Sequence, residues 1–416
     1  MEIKRDIYLN QLISRQHNGL IKVITGIRRS GKSYLLFKLF YKYLIESGID
    51  SEHIITVAFD MRKNRELRNP DKICDYIENK ITDGNRYYIL LDEVQMLDSF
   101  ESVLNEFLHY DNMDVYVTGS NSKFLSSDVL TEFRGRGDEV HIYPLSFSEF
   151  MSVYDGSVEH AWQEYINYGG LPQICEMHTD EQKSEYLRQL INGVYLNDIV
   201  ERNKLRSPDD LSELFDVMAS NIASLTNPSK IANTFRSVKN SNITPQTVSR
   251  YLEYLEQAFV IRKAVRYDIK GRKYIGTPAK YYFEDLGLRN ARLNFRQIEE
   301  THIMENIIFN ELCCRGFNVD VGVVELRTKK NNAAVRNQYE VDFVANLGSR
   351  RYYIQSAFAM NDEEKIAQET RSLKGIDDSF KKIIVIKEDI KVRRDINGFV
   401  TVGIFEFLLN PNSLEL

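Results

Sequence analysis

A chain of 416 residues is long for one ordinary domain and predicts two or three. With 43% hydrophobic and 27% charged residues and only 8 Pro and 21 Gly, it is the composition of a globular protein and excludes a disordered, collagenous or low-complexity chain. No stretch of about 18 apolar residues is present to span a bilayer, so no membrane partner is expected.

The net charge of −6 argues against a protein that coats nucleic acid, but the charge is unevenly spread. Residues 227–292 hold 13 Lys+Arg against 5 Asp+Glu, an excess of +8, so the rest of the −6 chain carries −14. A basic module inside an acidic chain calls for a partner or an internal counter-charge. The opening MEIKRDIYLNQLISRQHNG lacks the apolar core of a signal peptide. Cys74, Cys175, Cys313 and Cys314 show no CxxC spacing. Both features predict structural thiols in a reducing cytoplasm.

In chain order, residues 20–25 (LIKVIT) read as a short buried strand before a Gly-rich turn. Residues 33–46 follow with helical spacing of Leu35, Leu36, Leu39, Phe40 and Tyr43. Strands are expected at 54–59, 87–91 and 115–118, with helices at 70–82 and 99–109 between them. This alternation predicts a parallel sheet covered by helices. After Pro144 the pattern is helical to about residue 225. Helix, turn, helix and alternating residues fill 227–267. Beyond residue 295 the order is helix (301–315), strands (319–326, 339–345, 352–357), helix (363–373) and strand (382–386), a second α/β unit.

Gly26-Ile27-Arg28-Arg29-Ser30-Gly31-Lys32-Ser33 fits GxxxxGK[ST] between a strand and a helix. Its glycines let backbone N–H groups wrap a phosphate, and the helix start adds positive potential. Lys32 is placed to reach the terminal phosphates and Ser33 to offer a hydroxyl to Mg²⁺. Tyr34 adjoins the loop and is counted with its nucleotide-binding residues. Asp92 and Glu93 end the apolar run YYILL. Asp92 would join the metal shell and Glu93 would orient and deprotonate water, the positioning chemistry that phosphoryl transfer needs. After DVYVTGS, Asn121 either stands beside the γ-phosphate or caps the next helix. Arg134 and Arg136 either supply an arginine finger, from a neighbouring subunit of a homo-oligomer, or are charges of an exposed loop.

GIRRSGKS, YILLDEVQ, VYVTGSNS and Gly135-Arg136 followed by PLSFSEF resemble the bacterial and archaeal AAA-type ATPases that carry a C-terminal domain of unknown function. The likeness continues through Gly169-Gly170-Leu171-Pro172, Tyr195–Ile199 and Tyr282–Leu288. It implies ATP hydrolysis but no pathway, and of the two arginines it matches Arg136. It also implies an AAA core, a winged-helix segment and a C-terminal domain like restriction endonucleases. We therefore expect an ATPase domain over 1–150, a helical lid or linker over 151–225, a winged-helix region over 226–294 and a nuclease-like domain over 295–416.

In the basic module, Thr244 precedes Pro245 as a helix N-cap, and Val248, Leu252, Leu255 and Phe259 keep helical rhythm. Helix, turn, helix and a basic hairpin follow winged-helix order. Gln246, Ser249 and Arg250 on the helix and Arg262, Lys263, Lys270, Arg272 and Lys273 on the wing could meet duplex DNA. The other reading is an adaptor between domains, facing a protein partner. In the last module, Glu305 and Asp342 suit a PD-(D/E)xK metal site. Gln355 stands where its second acid belongs and Ala357 where its lysine belongs. An inactive nuclease fold is the expectation.

Overall fold

The computed structural model describes residues 2–119, 135–239, 243–330, 333–360 and 362–416. Asn121, with Ser120 and Arg134, lies outside them. The chain divides into two compact units, Met1–Pro144 with Gln257–Phe259, and Leu145–Glu256 with Val260–Leu416.

The first unit is built on five strands: β1 (Ile21–Thr25), β2 (Ile54–Ala58), β3 (Tyr87–Asp92), β4 (Met113–Thr118) and β5 (Gly137–His141). They form one parallel sheet in the order β2-β3-β4-β1-β5. Residues of alternate parity point to opposite faces of a strand, so both faces of a parallel sheet need cover. Tyr87, Ile89 and Leu91 pack toward the helices Pro70–Glu78 and Phe100–Phe107. Tyr88 and Leu90 pack on the other face with Leu35, Leu36, Leu39 and Phe40. The helix after the phosphate loop is α-helical over Lys32–Tyr34, π-helical over Leu35–Phe40 and α-helical again over Tyr41–Glu46.

This unit closes at Pro144, short of the expected boundary at residue 150. The cause is local: Leu145 donates its N–H to Gly170 O at 2.7 Å, Tyr165 Oη donates to Leu145 O at 2.8 Å, and Phe147 meets Trp162 edge-on.

The second unit begins with helices, among them Val158–Tyr168, Asp180–Gln189 and Pro208–Ser220, and continues through Pro228–Lys239 and Pro245–Gln257. Thr244 caps the last of these, its Oγ1 accepting from the N–H of Thr247 at 3.2 Å. The strands are β6 (Ile261–Asp268), β7 (Lys273–Phe283), β8 (Asn318–Lys330), β9 (Ala333–Leu347), β10 (Arg350–Ala357), β11 (Lys381–Ile386), β12 (Arg393–Arg394) and β13 (Val400–Gly403). All eight belong to one sheet, in the order β12-β13-β11-β10-β9-β8-β6-β7.

The expected division at 294/295 falls inside this unit. The β6–β7 hairpin, expected as the wing, is hydrogen-bonded through Arg266–Asp268 to Val321–Val323 of β8. Cutting there would strand the backbone groups of a buried ladder.

All four cysteines are free, Cys313 and Cys314 buried on the helix Glu300–Cys314. Among the described residues no helix is long and apolar enough to cross a membrane.

Candidate functional site

The phosphate loop leaves β1 at Gly26, whose φ of +136° suits glycine. A Cβ there would lie 2.1 Å from Ile142 O. Gly31, at φ +98°, opens the helix and has no side chain with which to cap it. Ser30 is fully buried and its Oγ has no hydrogen-bond partner among the described residues. A polar cradle of this kind suits an anionic guest.

Lys32 Nζ donates to Gly26 O and Ile27 O, each at 3.0 Å, so its ammonium lies over the loop. Ile27 is buried, Arg28 and Arg29 are exposed, and Arg29 adopts a left-handed φ of +66°. Tyr34 packs against the cluster of Tyr8, Leu36 and Phe40.

Asp92 ends β3, and its Oδ1 accepts from Ser33 Oγ at 2.9 Å and from Thr118 Oγ1 at 2.5 Å. Thr118 Oγ1 in turn accepts from the Glu93 N–H at 3.0 Å. Burial raises the pKa of Asp92, and the two hydroxyls partly offset it. Glu93 holds a left-handed backbone (φ +53°, ψ +46°), a strained conformation for a side-chain-bearing residue and typical of functional positions. Its Oε2 accepts from Gln95 Nε2.

The hydroxyl of Ser33 against the carboxylate of Asp92 is a pair of hard oxygen donors beside the cradle. Those residues fit a magnesium-bound nucleotide phosphate.

Two residues escaped the sequence reading. Thr118 joins both carboxylate positions because β4 lies between β1 and β3. Its signal was modest: it is the hydroxyl that closes DVYVT. Arg5, which is 3% exposed, donates to Ser30 O at 3.1 Å and to Tyr143 O at 2.6 Å, bracing the loop from behind. A buried arginine in the first turn of the chain had no local signal.

Arg136 is not brought to this site. It is exposed, and its carbonyl accepts from Ile21 N at 2.9 Å, at the start of β1 and β5. The phosphate loop leaves the other end of β1, about 16 Å away for five residues at about 3.3 Å each.

In the second unit Lys263, Lys270, Arg272, Lys273, Gln246 and Arg250 are exposed, while Arg262 and Ser249 are half-buried. Part of the +8 segment is consumed internally. Arg289 is 1% exposed and donates to Ala219 O at 2.8 Å, and Arg292 pairs with Asp216.

Lys280 is also buried. Its Nζ lies 2.8 Å from Glu305 Oε1, 2.6 Å from Glu340 Oε1 and 3.9 Å from Asp342 Oδ1. Ala357 on β10 stands where the motif places its lysine, whereas the ammonium of this cluster comes from Lys280 on β7. Lys280 sits in the buried run AKYYF, and a lysine there signals a hidden counter-charge. Burial opposes its charge, but Glu305, Asp342 and Glu340 together outweigh burial and hold its pKa above the ordinary lysine value. Burial, reinforced by Glu305, pushes Asp342 well above the usual carboxylate range. Gln355 turns its amide toward Glu369 at 3.5 Å.

Residues 18–151 match an AAA domain, and residues 159–299 match a domain of unknown function (DUF8612). An uncharacterized protein of Haemophilus influenzae is 34% identical over 415 residues, 98% of each chain. An uncharacterized protein of Methanocaldococcus jannaschii is 28% identical over 94% of this chain and 84% of its own. Among solved structures, the Aeropyrum pernix ORC1 protein in complex with DNA is 13% identical over 71% of this chain and 93% of that one, with a TM-score of 0.33. With 34% identity along nearly its whole length, the chain belongs to the same family as the Haemophilus influenzae protein, and its AAA domain carries the phosphate loop and the acidic strand tip.

Proposed function

We propose that this protein is a cytoplasmic, Mg²⁺-dependent ATPase whose cycle of nucleotide binding and hydrolysis works as a switch or motor on its second unit. The observation that carries this reading is the chain of contacts Ser33–Asp92–Thr118–Glu93 beside the Gly26–Lys32 cradle. Loop N–H groups and Lys32 bind and orient the phosphates. Ser33 and Asp92 would hold Mg²⁺, which when bound neutralises phosphate charge and orients the leaving group. Glu93, set by its backbone bond to Thr118, takes the proton of the attacking water.

Arg136 belongs to a neighbour's site in this reading, since its own chain holds it at the far end of β1. Phosphate release per chain should then rise with protein concentration. Mixing Arg136→Ala with Glu93→Gln should restore activity that neither variant shows alone. Wild-type phosphate release no faster than background would leave an ATP-controlled scaffold as the better reading.

A DNA partner is the second reading, supported by a cleft of about 780 Å³ lined in part by Tyr267, Lys270, Arg272, Arg350, Arg351 and Phe380. Arg351 lies 5.7 Å from the Tyr267 ring and 5.2 Å from the Phe380 ring, aromatic and cationic surface interleaved. Fluorescence anisotropy should find duplex binding that weakens by about 0.9 log units per log unit of salt for each phosphate contact. Reversing Arg272 and Lys273 should flatten that slope for all sequences alike. Absence of binding at low salt, with and without nucleotide, would make the module an adaptor for a protein partner.

A further inference from the structure

We propose that the ammonium of Lys280 is the resident cation of the acidic pocket formed by Glu305, Glu340 and Asp342, occupying the place where such a set of carboxylates would otherwise take a divalent metal. The second unit therefore keeps a nuclease-like arrangement of acids with its own side chain as the counter-ion.

The argument starts from the strand. Residues 279–283 of β7 are buried throughout, and Lys280 is 5% exposed. A charge in that position persists only with matched partners. The ammonium donates to Glu305 Oε1 at 2.8 Å and forms an ion pair with Glu340 Oε1 at 2.6 Å. Two neighbours also bond to these carboxylates: Glu305 Oε1 takes the hydroxyl of Tyr282 at 2.7 Å as well, and Asp342 Oδ2 takes the N–H of Ser356 at 2.8 Å.

A metal bridging Glu305 and Asp342 would meet the Lys280 ammonium, which lies 2.8 Å from Glu305 Oε1 and 3.9 Å from Asp342 Oδ1. It would also shed water, which Mg²⁺ does reluctantly. The position that would add a ligand charge is Gln355, and the one that would add the usual lysine is Ala357. Among the described residues no three His, Cys, Asp or Glu side chains are grouped to hold a metal. The nuclease metal does not fit this site as built. Removing the lysine while keeping its stem should make it fit, by leaving the buried carboxylates of Glu305 and Asp342 and the half-buried one of Glu340 uncompensated.

The experiment is Mn²⁺ titration followed by electron paramagnetic resonance on full-length, nucleotide-free protein carrying Ser33→Ala, so that the phosphate site contributes no metal. The protein with Lys280 intact should retain no Mn²⁺ beyond weak surface binding. Lys280→Met should gain one Mn²⁺ per chain, at least about tenfold tighter, and adding Asp342→Asn should abolish it. If Lys280→Met does not fold, as judged by circular dichroism, Lys280→Met with Glu340→Gln removes one negative charge from the cluster and should show the same gain.

Two results would overturn the proposal: one Mn²⁺ bound with Lys280 in place and lost on Asp342→Asn, or a folded lysine variant that binds no more Mn²⁺ than its parent. The test uses no ATP, so its outcome is independent of the ATPase reading.

Discussion

Glu93→Gln is expected to lower phosphate release about 10²- to 10⁴-fold, the usual range for loss of a general base, while ATP binding is retained. Gln preserves the size and one carbonyl oxygen of Glu but cannot accept the water's proton. The Thr118 contact that positions residue 93 runs through its backbone N–H, so the substitution leaves the site's frame in place. Lys32→Ala should act on a different step. It removes the ammonium that spans Gly26 O and Ile27 O and would meet the phosphates, so binding itself should fail. Malachite-green phosphate release together with binding of a fluorescent ATP analogue separates the two. Equal turnover in wild type and Glu93→Gln would end the assignment of Glu93 as base, and tight nucleotide binding by Lys32→Ala would end that of Lys32.

What could be read in advance follows the range of the interactions. Gly26–Ser33 and Asp92–Glu93 are short local patterns whose chemistry is fixed by spacing, and the structure brings Ser33 and Asp92 to 2.9 Å. Most strands of both units were visible as apolar runs. β5 was not, because GDEVH is largely polar and only Val140 of it is fully buried. Thr118 was hidden because its role depends on which strand lies between β1 and β3, a fact of sheet order rather than of local pattern.

The pairing of the hairpin β6–β7 was not legible for a related reason. Its turn and charge are local and suit a free wing, whereas its parallel pairing with β8 joins residues more than 50 apart. Lys280 shows the same limit: its first partner is 25 positions along and the other two lie on β9.

The motifs Gly169-Gly170 and Asp285-Leu286-Gly287, conspicuous in the sequence, form a structural lock. Asp285 caps the helix Leu286–Arg292, accepting the N–H of Leu288 on Oδ1 and the N–H of Gly170 on Oδ2, both at 2.9 Å. Gly287 and Leu171 add further N–H donors. The two segments touch so closely that a Cβ on Gly287 would lie 2.0 Å from Tyr168 O, and one on Gly169, at φ +74°, would lie 2.5 Å from the carboxylate.

Asp285→Ala would leave these buried donors without an acceptor, at about 1–3 kcal/mol each before water enters. We expect the second unit to lose about 3 kcal/mol or more. Asp285→Asn, keeping one carbonyl oxygen, should lose less. Trp162 is the chain's one tryptophan and lies buried on the helix Val158–Tyr168, so its fluorescence in urea reports this unit.

The penalty should also depend on pH. Burial raises Asp285 to about 6, against the four N–H bonds that pull it down. The folded form therefore binds the proton more tightly than the unfolded chain, whose value is about 3.9. The resulting stability is fully present below about pH 4 and is lost as pH rises through 6, by about 3 kcal/mol. The stability gap between wild type and Asp285→Asn should accordingly be wider at pH 4.5 than at pH 7.5. A gap that widens instead with rising pH would mean that the N–H bonds outweigh burial and that Asp285 is held as a carboxylate.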